Sequence, residues 1–472
     1  MNAPPPPLLD RFSAIVGPQN AIRDAEALRP YVVEPRDLFH GRTPLVLRPG
    51  SVAEVSAILA LASETRTPIV PQGGNTGLVG GQIPSEAGNE IIVSLSRLNR
   101  IRRVDPANNT MIAEAGVILA DAQGAADAAD RLFPLTLASE GSCEIGGNLS
   151  TNAGGTGVLA YGNTRELVLG VEVVLASGAV WNGLRTLRKD NTGYDLKDMF
   201  IGAEGTLGII TAAVLRLVPK PRGAAVAFLG IATAEAGVAL LHVAQGRAGR
   251  SLTAFEILPR FGLEVVLRNL PGARDPLATP HAWYVLAEIS SAASEADAAA
   301  TIEGIFAEGL DKGLVEDGAL AQSREQADSF WRIRHSLSEV QKFEGGSIKH
   351  DVAVPIAAIP ELIHRASAAV TRLIPGVRPL PFGHLGDGNL HLNFSQPAGG
   401  DKKAFLARWG EVNEVVHAVV AELDGTISAE HGIGRLKRDL LRRVKSPVEM
   451  EMMRTLKNAF DPLGILNPGK IL

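Results

Sequence analysis

The stretch Ala138 to Gly170 constrains the fold of this chain more than any other, because glycine and short polar residues dominate it. Glycines fall at positions 141, 146, 147, 154, 155 and 157, with Ser, Thr and Asn between them. Glycine has no Cβ, so consecutive backbone N–H groups can approach an anion, and the short side chains add donors. A flexible linker would not need the embedded apolar residues Ile145, Leu149, Val158, Leu159 and Tyr161. The stretch therefore predicts a nest for a phosphate-bearing cofactor.

Within this stretch, Gly155 to Ala160 reads GTGVLA, a formal match to the dinucleotide fingerprint G-x-G-x-x-A. That fingerprint requires a preceding strand and a helix that opens inside it, so that the helix N-terminus faces the pyrophosphate. Here LSTNAG precedes the match and YGNTRE follows it, and this context does not fit. A Rossmann nicotinamide site is therefore rejected.

A second glycine-rich loop, PQGGNTGLVGG, lies upstream at Pro71 to Gly81. It follows Pro68 to Val70, a short apolar run that predicts a buried strand. A strand that leads into a glycine-rich turn is a suitable context for a phosphate cradle. The N-terminal half of the chain thus contains two candidate anion-binding loops.

Composition limits the class of protein. The formal net charge of −5 and the pI of about 6.1 argue against nucleic acid as the main partner. No apolar run reaches the ~18 residues of a membrane helix, because Gly, Ser or a charge interrupts each one. The single cysteine, Cys143, excludes an internal disulfide, suits a reducing compartment and is interpreted as a small packed side chain. The N-terminus, MNAPPPPLLDRF, lacks the pattern of a secretory or transit peptide, so a cytoplasmic location is expected.

The length of the chain and a change in its composition and predicted secondary structure indicate three segments. At 472 residues the chain exceeds what one hydrophobic core usually serves. Helices and strands alternate with glycine loops up to Val218, and Pro219-Lys-Pro221 then interrupts the pattern. Beyond it, longer alanine-rich helices separate the strands. We therefore predict domains at residues 1–220 and 221–425, followed by a helical segment at residues 426–472.

Apolar periodicity predicts the elements of both domains. Ser51 to Glu64 reads as a core-facing helix with capping-box spacing between Ser51 and Glu54, and Val171 to Trp181 as a hairpin closed at Ser177-Gly178. The predicted strands are Ile69–Val70, Ile91–Leu95, Thr110–Val117, Ala225–Leu229, Thr253–Leu258, Trp283–Ile289 and Ser347–Val352. The predicted helices beyond residue 220 are Glu235–Ala248, Ser294–Glu308, Ser323–Phe343 and Pro360–Leu373. The second domain thus reads as a sheet with helices on one side.

Two histidines flank an Asp-Gly pair in the segment PFGHLGDGNLHLNF, Pro381 to Phe394. A two-residue turn at Asp387-Gly388 would place His384 directly opposite His391, with Cβ atoms about 5 Å apart on one face. Asn393 shares that face. Hydrogen-bonded structural histidines are the default interpretation of such a pair. The segment AEHGIG, however, adds a carboxylate at Glu430 beside a third histidine, His431, and the set His384, His391 and Glu430 then predicts a divalent metal site.

The two glycine loops, together with IGAEGTLGIIT at Ile201 to Thr211, resemble the flavoprotein family of vanillyl-alcohol oxidase and p-cresol methylhydroxylase. The resemblance covers nearly the whole chain. RKDNTGYDLK at Arg188 to Lys197 and GHLGDGNLHLN at Gly383 to Asn393 are similar to the branch of D-2-hydroxyglutarate and D-lactate dehydrogenases. The resemblance implies an α+β fold, in which a two-part FAD-binding domain carries an α+β cap domain built on an antiparallel sheet, and the tail returns to the FAD domain.

The resemblance also implies which residues bind FAD. Relatives with covalent flavin carry His in the first glycine loop where this chain has Asn75, so the FAD is expected to be non-covalent. The residues expected to hold the cofactor are Pro71, Gly73, Gly74, Asn75, Thr76, Gly77, Leu78, Ser139, Gly141, Ser142, Gly146, Gly147, Asn148, Thr151, Asn152, Gly154, Glu204, Gly205, Ile209 and Asn467.

A 2-hydroxy acid can chelate the predicted metal through its carboxylate and hydroxyl, which lowers the pKa of the hydroxyl. His431 is then the natural general base, and hydride transfer to flavin N5 can follow. His431 and Asn393 occupy matching motif positions in the family, which supports catalytic and substrate-binding roles for both. Zinc is the expected metal, although a set of two nitrogen ligands and one oxygen ligand also suits manganese, iron or cobalt.

The segment DSFWRIRHSLSEVQKF, Asp328 to Phe343, places Arg334 and Ser338 four residues apart on one helical face, and Lys349 on the following strand. In the hydroxyglutarate dehydrogenases the matching positions hold the distal carboxylate, here with Ser338 where some relatives have Thr. An arginine on a solvated helical face is the competing interpretation. The resemblance favours a dicarboxylate site, which a guanidinium fork suits.

The resulting prediction is a dehydrogenase for D-2-hydroxyglutarate, or for a similar D-2-hydroxy dicarboxylate such as D-malate. D-lactate or glycolate oxidation is the alternative within the family, and a metal-dependent hydrolase or a flavin-binding module without turnover are alternatives from other classes. The expected partners are the small-molecule 2-hydroxy acid and an electron acceptor such as an electron-transfer flavoprotein or a quinone. A homodimer is possible, and the sequence does not decide the oligomeric state.

Overall fold

The structure, a computed structural model, describes residues 3–472. Backbone packing divides the chain into two units. The first unit runs to Gly155 and includes Gly162–Lys220 and Glu430–Leu472, and the second comprises Thr156–Tyr161 and Pro221–Ala429. The predicted boundary at 220/221 coincides with an observed junction, and the predicted boundary at 425/426 lies four residues before the observed one at 429/430. The sequence did not predict that residues 156–161 belong to the second unit.

The first unit contains three sheets within the described residues. Their strands are β1 Ala21–Ile22, β2 Val46–Leu47, β3 Ile69–Gln72, β4 Ile91–Ser94, β5 Ile101–Asp105, β6 Thr110–Glu114, β7 Arg131–Leu132, β8 Val168–Val174, β9 Val180–Asn182, β10 Ile209–Arg216 and β11 Val218–Pro219. One sheet has the order β1-β2-β4-β3, with β2, β4 and β3 parallel. The second is antiparallel with the order β5-β6-β10-β8-β9, and the third is the pair β11-β7. The apolar run of β4 is buried along its whole length, as expected for a parallel strand covered on both faces.

The helices of the first unit are Pro6–Val16, Ala25–Val32, Val52–Thr65, Leu119–Ala128, Ile145–Thr151, Lys197–Phe200, Arg438–Val444 and Pro447–Phe460. Of the two hydrogen bonds in the capping box predicted for the helix Val52–Thr65, one is confirmed. The Ser51 side chain accepts the Glu54 N–H, but the Glu54 carboxylate accepts the N–H of Gly50 instead of that of Ser51. The helix buries Val55, Ile58, Leu59 and Ala62.

The stretch that reads as one glycine-rich loop contains two short helices, Ile145–Thr151 and Val158–Tyr161. A helix, and not a strand, therefore precedes the GTGVLA match, which agrees with the rejection of a Rossmann site. The predicted hairpin is confirmed, since β8 pairs with β9 around a turn in which Gly178 has φ +86°.

The second unit contains an antiparallel sheet among its described residues. Its strands are β12 Gly223–Ile231, β13 Leu252–Pro259, β14 Trp283–Ser291, β15 Asp317–Leu320, β16 Ser347–Ile348, β17 Val352–Ala353, β18 Arg378–His384 and β19 Asn389–Ser395. Their order is β15-β12-β14-β13-β18-β19-β16, with β17 paired to β19. Its helices, besides Val158–Tyr161, are Ala234–Ala248, Arg260–Asn269, Glu295–Asp311, Arg324–Val340, Ile359–Leu373, Lys402–Ala407 and Trp409–Glu422.

Helices cover both faces of this sheet, so the prediction of helices on one side is wrong. Successive residues of β12 belong to two different cores: Ala227 and Leu229 pack with the helix Ala234–Ala248, and Val226 and Phe228 with the helix Arg324–Val340. Because successive strand residues point to opposite faces, a continuously apolar strand requires cover on both sides.

The hairpin register predicted for the two histidines is also wrong. His384 pairs with Asn389 and His391 with Phe382, so four residues connect β18 to β19 instead of two. The longer loop buries the side chain of Leu385 in the core, which a two-residue turn would not permit. Because the register differs by two residues, His384 and His391 remain on one face as diagonal neighbours.

Candidate active site

The first unit contains a cavity that both glycine-rich loops line, as expected of a preformed concave site for a small molecule or cofactor. The residues predicted from the sequence that line it are Pro71, Gly73, Gly74, Asn75, Thr76, Gly77, Gly146, Gly147, Asn148, Thr151, Glu204, Gly205, Ile209, His431 and Asn467. Among the described residues, Leu78, Ser139, Gly141, Ser142, Asn152 and Gly154 are not part of this lining. The residues that sequence reasoning missed are Gln72, Val79, Gly81, Gln82, Leu95, Ala115, Glu144, Ser150, Gly208 and Ile210.

The two glycine loops meet at this cavity, and Gly74 and Gly146 are sterically required there. A Cβ on Gly74 would lie 2.0 Å from the carbonyl oxygen of Ser142, and one on Gly146 would lie 2.7 Å from the Ala115 Cβ. A Cβ on Gly147, in contrast, would meet no atom within 4 Å, so this backbone borders open space. The loops therefore approach each other closely and leave bare backbone facing the cavity.

The cavity also presents unsatisfied polar atoms that suit a polar cofactor. Asn148 Nδ2 and Asn467 Oδ1 are buried, line the cavity and make no hydrogen bond to any described residue. Buried polar atoms normally have partners, so one donor and one acceptor remain for a ligand. This arrangement fits FAD held by both loops.

Asn75 has a structural role in the first loop. Its backbone is left-handed, with φ +54°, and its Nδ2 donates to the carbonyl oxygens of Pro30 and Val33, each at 2.9 Å. Its Oδ1 accepts from Gln82 Nε2 at 3.0 Å. The residue that stands where covalent-flavin relatives carry histidine therefore holds the loop in place.

The C-terminal segment is hydrogen-bonded into the first unit next to the cavity. The buried Glu204 carboxylate accepts the N–H groups of Ile433 and Gly434 at 2.7 and 2.8 Å. Burial raises the pKa of Glu204, and these two bonds oppose the rise. Glu430 Oε1 accepts the N–H of Gly155 at 2.6 Å. These contacts hold the segment that carries Glu430 and His431.

In the second unit, a single buried carboxylate connects two of the predicted site residues. Glu256 Oε1 lies 2.8 Å from His384 Nδ1, and its Oε2 accepts from Arg334 Nε at 2.7 Å. Burial opposes ionisation, but the charges and hydrogen bonds of His384 and Arg334 outweigh it and lower the pKa of Glu256 to about 2. Sequence reasoning missed Glu256, although an acidic residue inside the apolar strand β13 was a usable signal, because a buried charge requires partners.

The rings of His384 and His391 lie 5.6 Å apart at an interplanar angle of 74°. His384 is fixed by a carboxylate at Nδ1, as metal-ligating histidines commonly are. The chemistry of this pair thus fits metal ligation. Asn393, which is 2% exposed, donates to Gln341 Oε1 at 2.8 Å and accepts the His350 N–H at 3.2 Å.

Arg334 does not lie on a solvated helical face. It is 5% exposed, and its guanidinium stands over the Phe382 ring at 5.0 Å. Ser338, one turn later, is exposed, and its carbonyl oxygen accepts from Lys349 Nζ at 2.9 Å. Lys349 lies in the connection between β16 and β17, so its placement on a strand is wrong; the predicted strand Ser347–Val352 is interrupted there.

Two family models match the chain: that of the C-terminal domain of FAD-linked oxidases over residues 220–471, and that of an FAD-binding domain over residues 43–183. The chain belongs to the FAD-linked oxidase family. A D-2-hydroxyglutarate dehydrogenase of Arabidopsis thaliana, named as mitochondrial, is 38% identical over 98% of this chain and 80% of its own length. The D-2-hydroxyglutarate dehydrogenase of Stutzerimonas stutzeri is 36% identical over 99% of each chain. The structure of p-cresol methylhydroxylase with bound substrate is similar, with a TM-score of 0.77 and 17% identity over 98% of this chain and 96% of that one.

Family membership confirms the predicted fold class, the FAD cofactor and the class of enzyme: the chain is an FAD-linked oxidoreductase. No helix among residues 3–472 has both the length and the apolar character needed to cross a bilayer. The cytoplasmic location stays a prediction, because the plant relative is named as mitochondrial.

Proposed function

We propose that this chain oxidises D-2-hydroxyglutarate, or a similar D-2-hydroxy dicarboxylate such as D-malate, to the 2-oxo acid. The observation that carries the proposal is the buried guanidinium of Arg334. Its Nη2 forms an ion pair with Glu256 Oε2 at 2.7 Å, but this nitrogen makes no hydrogen bond within the described residues. A buried guanidinium with an unused donor suits a carboxylate. D-lactate and glycolate have no second carboxylate to occupy it.

The proposed cofactor is non-covalent FAD, which the loops containing Gly73–Gly77 and Gly146–Gly147 would hold. When bound, FAD would supply the acceptor for a hydride from C2 of the substrate. Asn75 supports non-covalent binding, because an amide cannot form the bond that histidine forms in covalent relatives. The named dehydrogenases at 36–38% identity support the choice of substrate class.

The proposed metal ligands are His384, His391 and Glu430, with zinc as the expected ion. A bound divalent cation would lower the pKa of the substrate hydroxyl and favour loss of its proton. Glu256 orients His384 through Nδ1, which supports a ligand role for this histidine.

The proposed general base is His431, whose imidazole would accept the hydroxyl proton. An imidazole is neutral for much of the time near pH 7, and His431 lines the cofactor cavity. Asn393 would orient the reacting end of the substrate, while Arg334, Ser338 and Lys349 would bind its distal carboxylate. An electron-transfer flavoprotein or a quinone is the proposed electron acceptor.

The decisive experiment is anaerobic mixing of the purified yellow protein with single hydroxy acids. D-2-Hydroxyglutarate should bleach the flavin absorbance, whereas the L enantiomer should not. Bleaching by D-lactate or glycolate at an equal rate would contradict the dicarboxylate proposal and favour the alternative within the family.

His431→Ala should retain bound FAD and reduce the rate of flavin bleaching by about 10²- to 10⁴-fold, the usual contribution of a positioned general base. Stopped-flow absorbance measures this rate. His364→Ala, at an exposed histidine of the second unit, is the control and should bleach like the wild type. An undiminished rate in His431→Ala would remove His431 from the mechanism.

A further inference from the structure

Two carboxyl groups line the cofactor cavity, and they differ in their bonding. Glu204 accepts two backbone N–H groups. Glu144 is 6% exposed, and its Oε2 makes no hydrogen bond with any described residue. A buried carboxyl oxygen without a partner is costly unless a ligand supplies one. Glu144 is therefore a buried polar group that the proposed reaction leaves unexplained.

Glu144 lies where the two glycine loops face each other. It directly precedes the helix Ile145–Thr151, and Gly147 in the first turn of that helix lines the cavity. A Cβ built on Gly73 of the other loop would lie 3.4 Å from Glu144 Oε2 and 3.6 Å from the amide nitrogen of Gly147. The carboxyl group and the bare backbone of both loops thus converge on one point of the cavity.

Glycine-rich backbone of this kind suits the pyrophosphate of a dinucleotide. An ionised carboxylate at the same point would repel it, whereas a protonated carboxyl offers an O–H donor. Burial raises the pKa of Glu144 to about 8, and the attraction of Arg48 only partly offsets the rise. The other titratable side chains that line this cavity are Glu204 and His431. Glu144 is accordingly neutral at pH 7.

We propose that Glu144 is a cofactor-binding residue that remains protonated and donates its O–H to a pyrophosphate oxygen of FAD. Loss of this proton removes the donor and places a carboxylate against a phosphate anion. FAD binding is then coupled to pH, and the enzyme releases its cofactor more readily in alkaline solution. The inference concerns the FAD site alone and does not depend on the proposed substrate.

The test is release of FAD from the diluted holoenzyme between pH 6.5 and 9.5, followed by the fluorescence of free flavin. The dissociation constant should be constant below about pH 8 and should rise by up to about tenfold per pH unit above it, as linkage to one proton requires. Glu144→Gln keeps a neutral donor but cannot ionise, so its dissociation constant for FAD should no longer rise above pH 8. Glu140→Gln, at an exposed carboxyl nearby, should keep that rise.

Retention of the full pH dependence in Glu144→Gln would overturn the proposal and assign the titration to another group. Should that variant fail to fold, the wild-type chain freed of flavin provides a second test. Calorimetric titration with FAD at pH 8.5, in buffers of different ionisation enthalpy, should show uptake of roughly one proton. Absence of proton uptake would also overturn the proposal. Substrate is absent from both measurements, so a wrong substrate assignment would not affect either result.

Discussion

Glu144 in the first unit and Glu256 in the second are both buried glutamates, yet at neutral pH Glu256 is ionised and Glu144 is protonated. Glu256 contacts an imidazole and a guanidinium, and its pKa is about 2. Glu144 has an oxygen without a hydrogen bond, and its pKa is about 8. Burial is common to both, so the partners decide which form persists. The site of the second unit keeps a fixed anion that orients His384 and Arg334, and the site of the first unit keeps a neutral donor for an anionic ligand.

The largest expected effect comes from neutralising the anion of the second unit. Glu256→Gln leaves the buried Arg334 without a counter-charge, which should cost about 3–5 kcal/mol of unfolding free energy. It should also weaken divalent-metal binding by about 10- to 100-fold, because Glu256 orients His384. Urea unfolding and metal titration measure the two effects.

Glu288→Gln is the matched control on the neighbouring strand β14. Burial raises the pKa of Glu288, and its Oε2 accepts from Trp331 Nε1 at 2.7 Å. The hydrogen bonds of Glu288 come from the neutral side chains of Trp331 and Thr253, so the amide leaves no cation without a counter-charge and should cost little stability. Equal destabilisation by the two substitutions would remove the distinction between a carboxylate paired with a cation and one bonded only to neutral donors.

A smaller effect is expected at the cationic partner. Arg334→Ala should lower kcat/KM for D-2-hydroxyglutarate by about 10- to 100-fold more than that for D-lactate, since a hydrogen bond to a charged group contributes ~1.5–3 kcal/mol. The ratio of the two values separates substrate recognition from general damage. Arg332→Ala, at an exposed position of the same helix, should leave the ratio unchanged. A parallel loss for both substrates would indicate that Arg334 serves only to pair with Glu256.

The last effect concerns the neutral carboxyl and is gradual, because it accumulates over several pH units. The pKa of Glu144 is about 8 in the folded chain, against an ordinary value of 4.5. The unfolded chain therefore releases this proton above about pH 4.5, while the folded chain keeps it to about pH 8. Stability should fall as pH rises through this window, by at most ~1.4 kcal/mol per pH unit from this group.

Glu144→Gln removes this pH-dependent loss of stability. The flavin-free variant should therefore melt at a higher temperature than the flavin-free wild type at pH 8, and the difference should be much smaller at pH 5. Melting temperatures of both chains at the two pH values provide the measurement. An identical difference at pH 5 and pH 8 would mean that Glu144 is not held neutral by the fold.

The sequence by itself determined the class of cofactor and the face of the sheet that His384 and His391 share. The glycine loops predicted the cofactor class, because only glycine permits backbone to approach at positions such as Gly74 and Gly146. Strand periodicity placed His384 and His391 on one face, and this survived the wrong register because the error was an even number of residues.

Only the tertiary structure decided how the two strands of the histidine hairpin pair, which residue contacts His384, and which buried glutamate stays protonated. The four-residue hairpin loop depends on a core that buries Leu385, and that core is assembled from distant elements. Glu256 lies 128 residues before His384 in the chain, so no spacing rule connects them. Glu144 differs from any exposed glutamate only in its burial between two loops. Local sequence fixes residue types and periodicity, whereas burial and charge pairing depend on which distant segments the fold brings together.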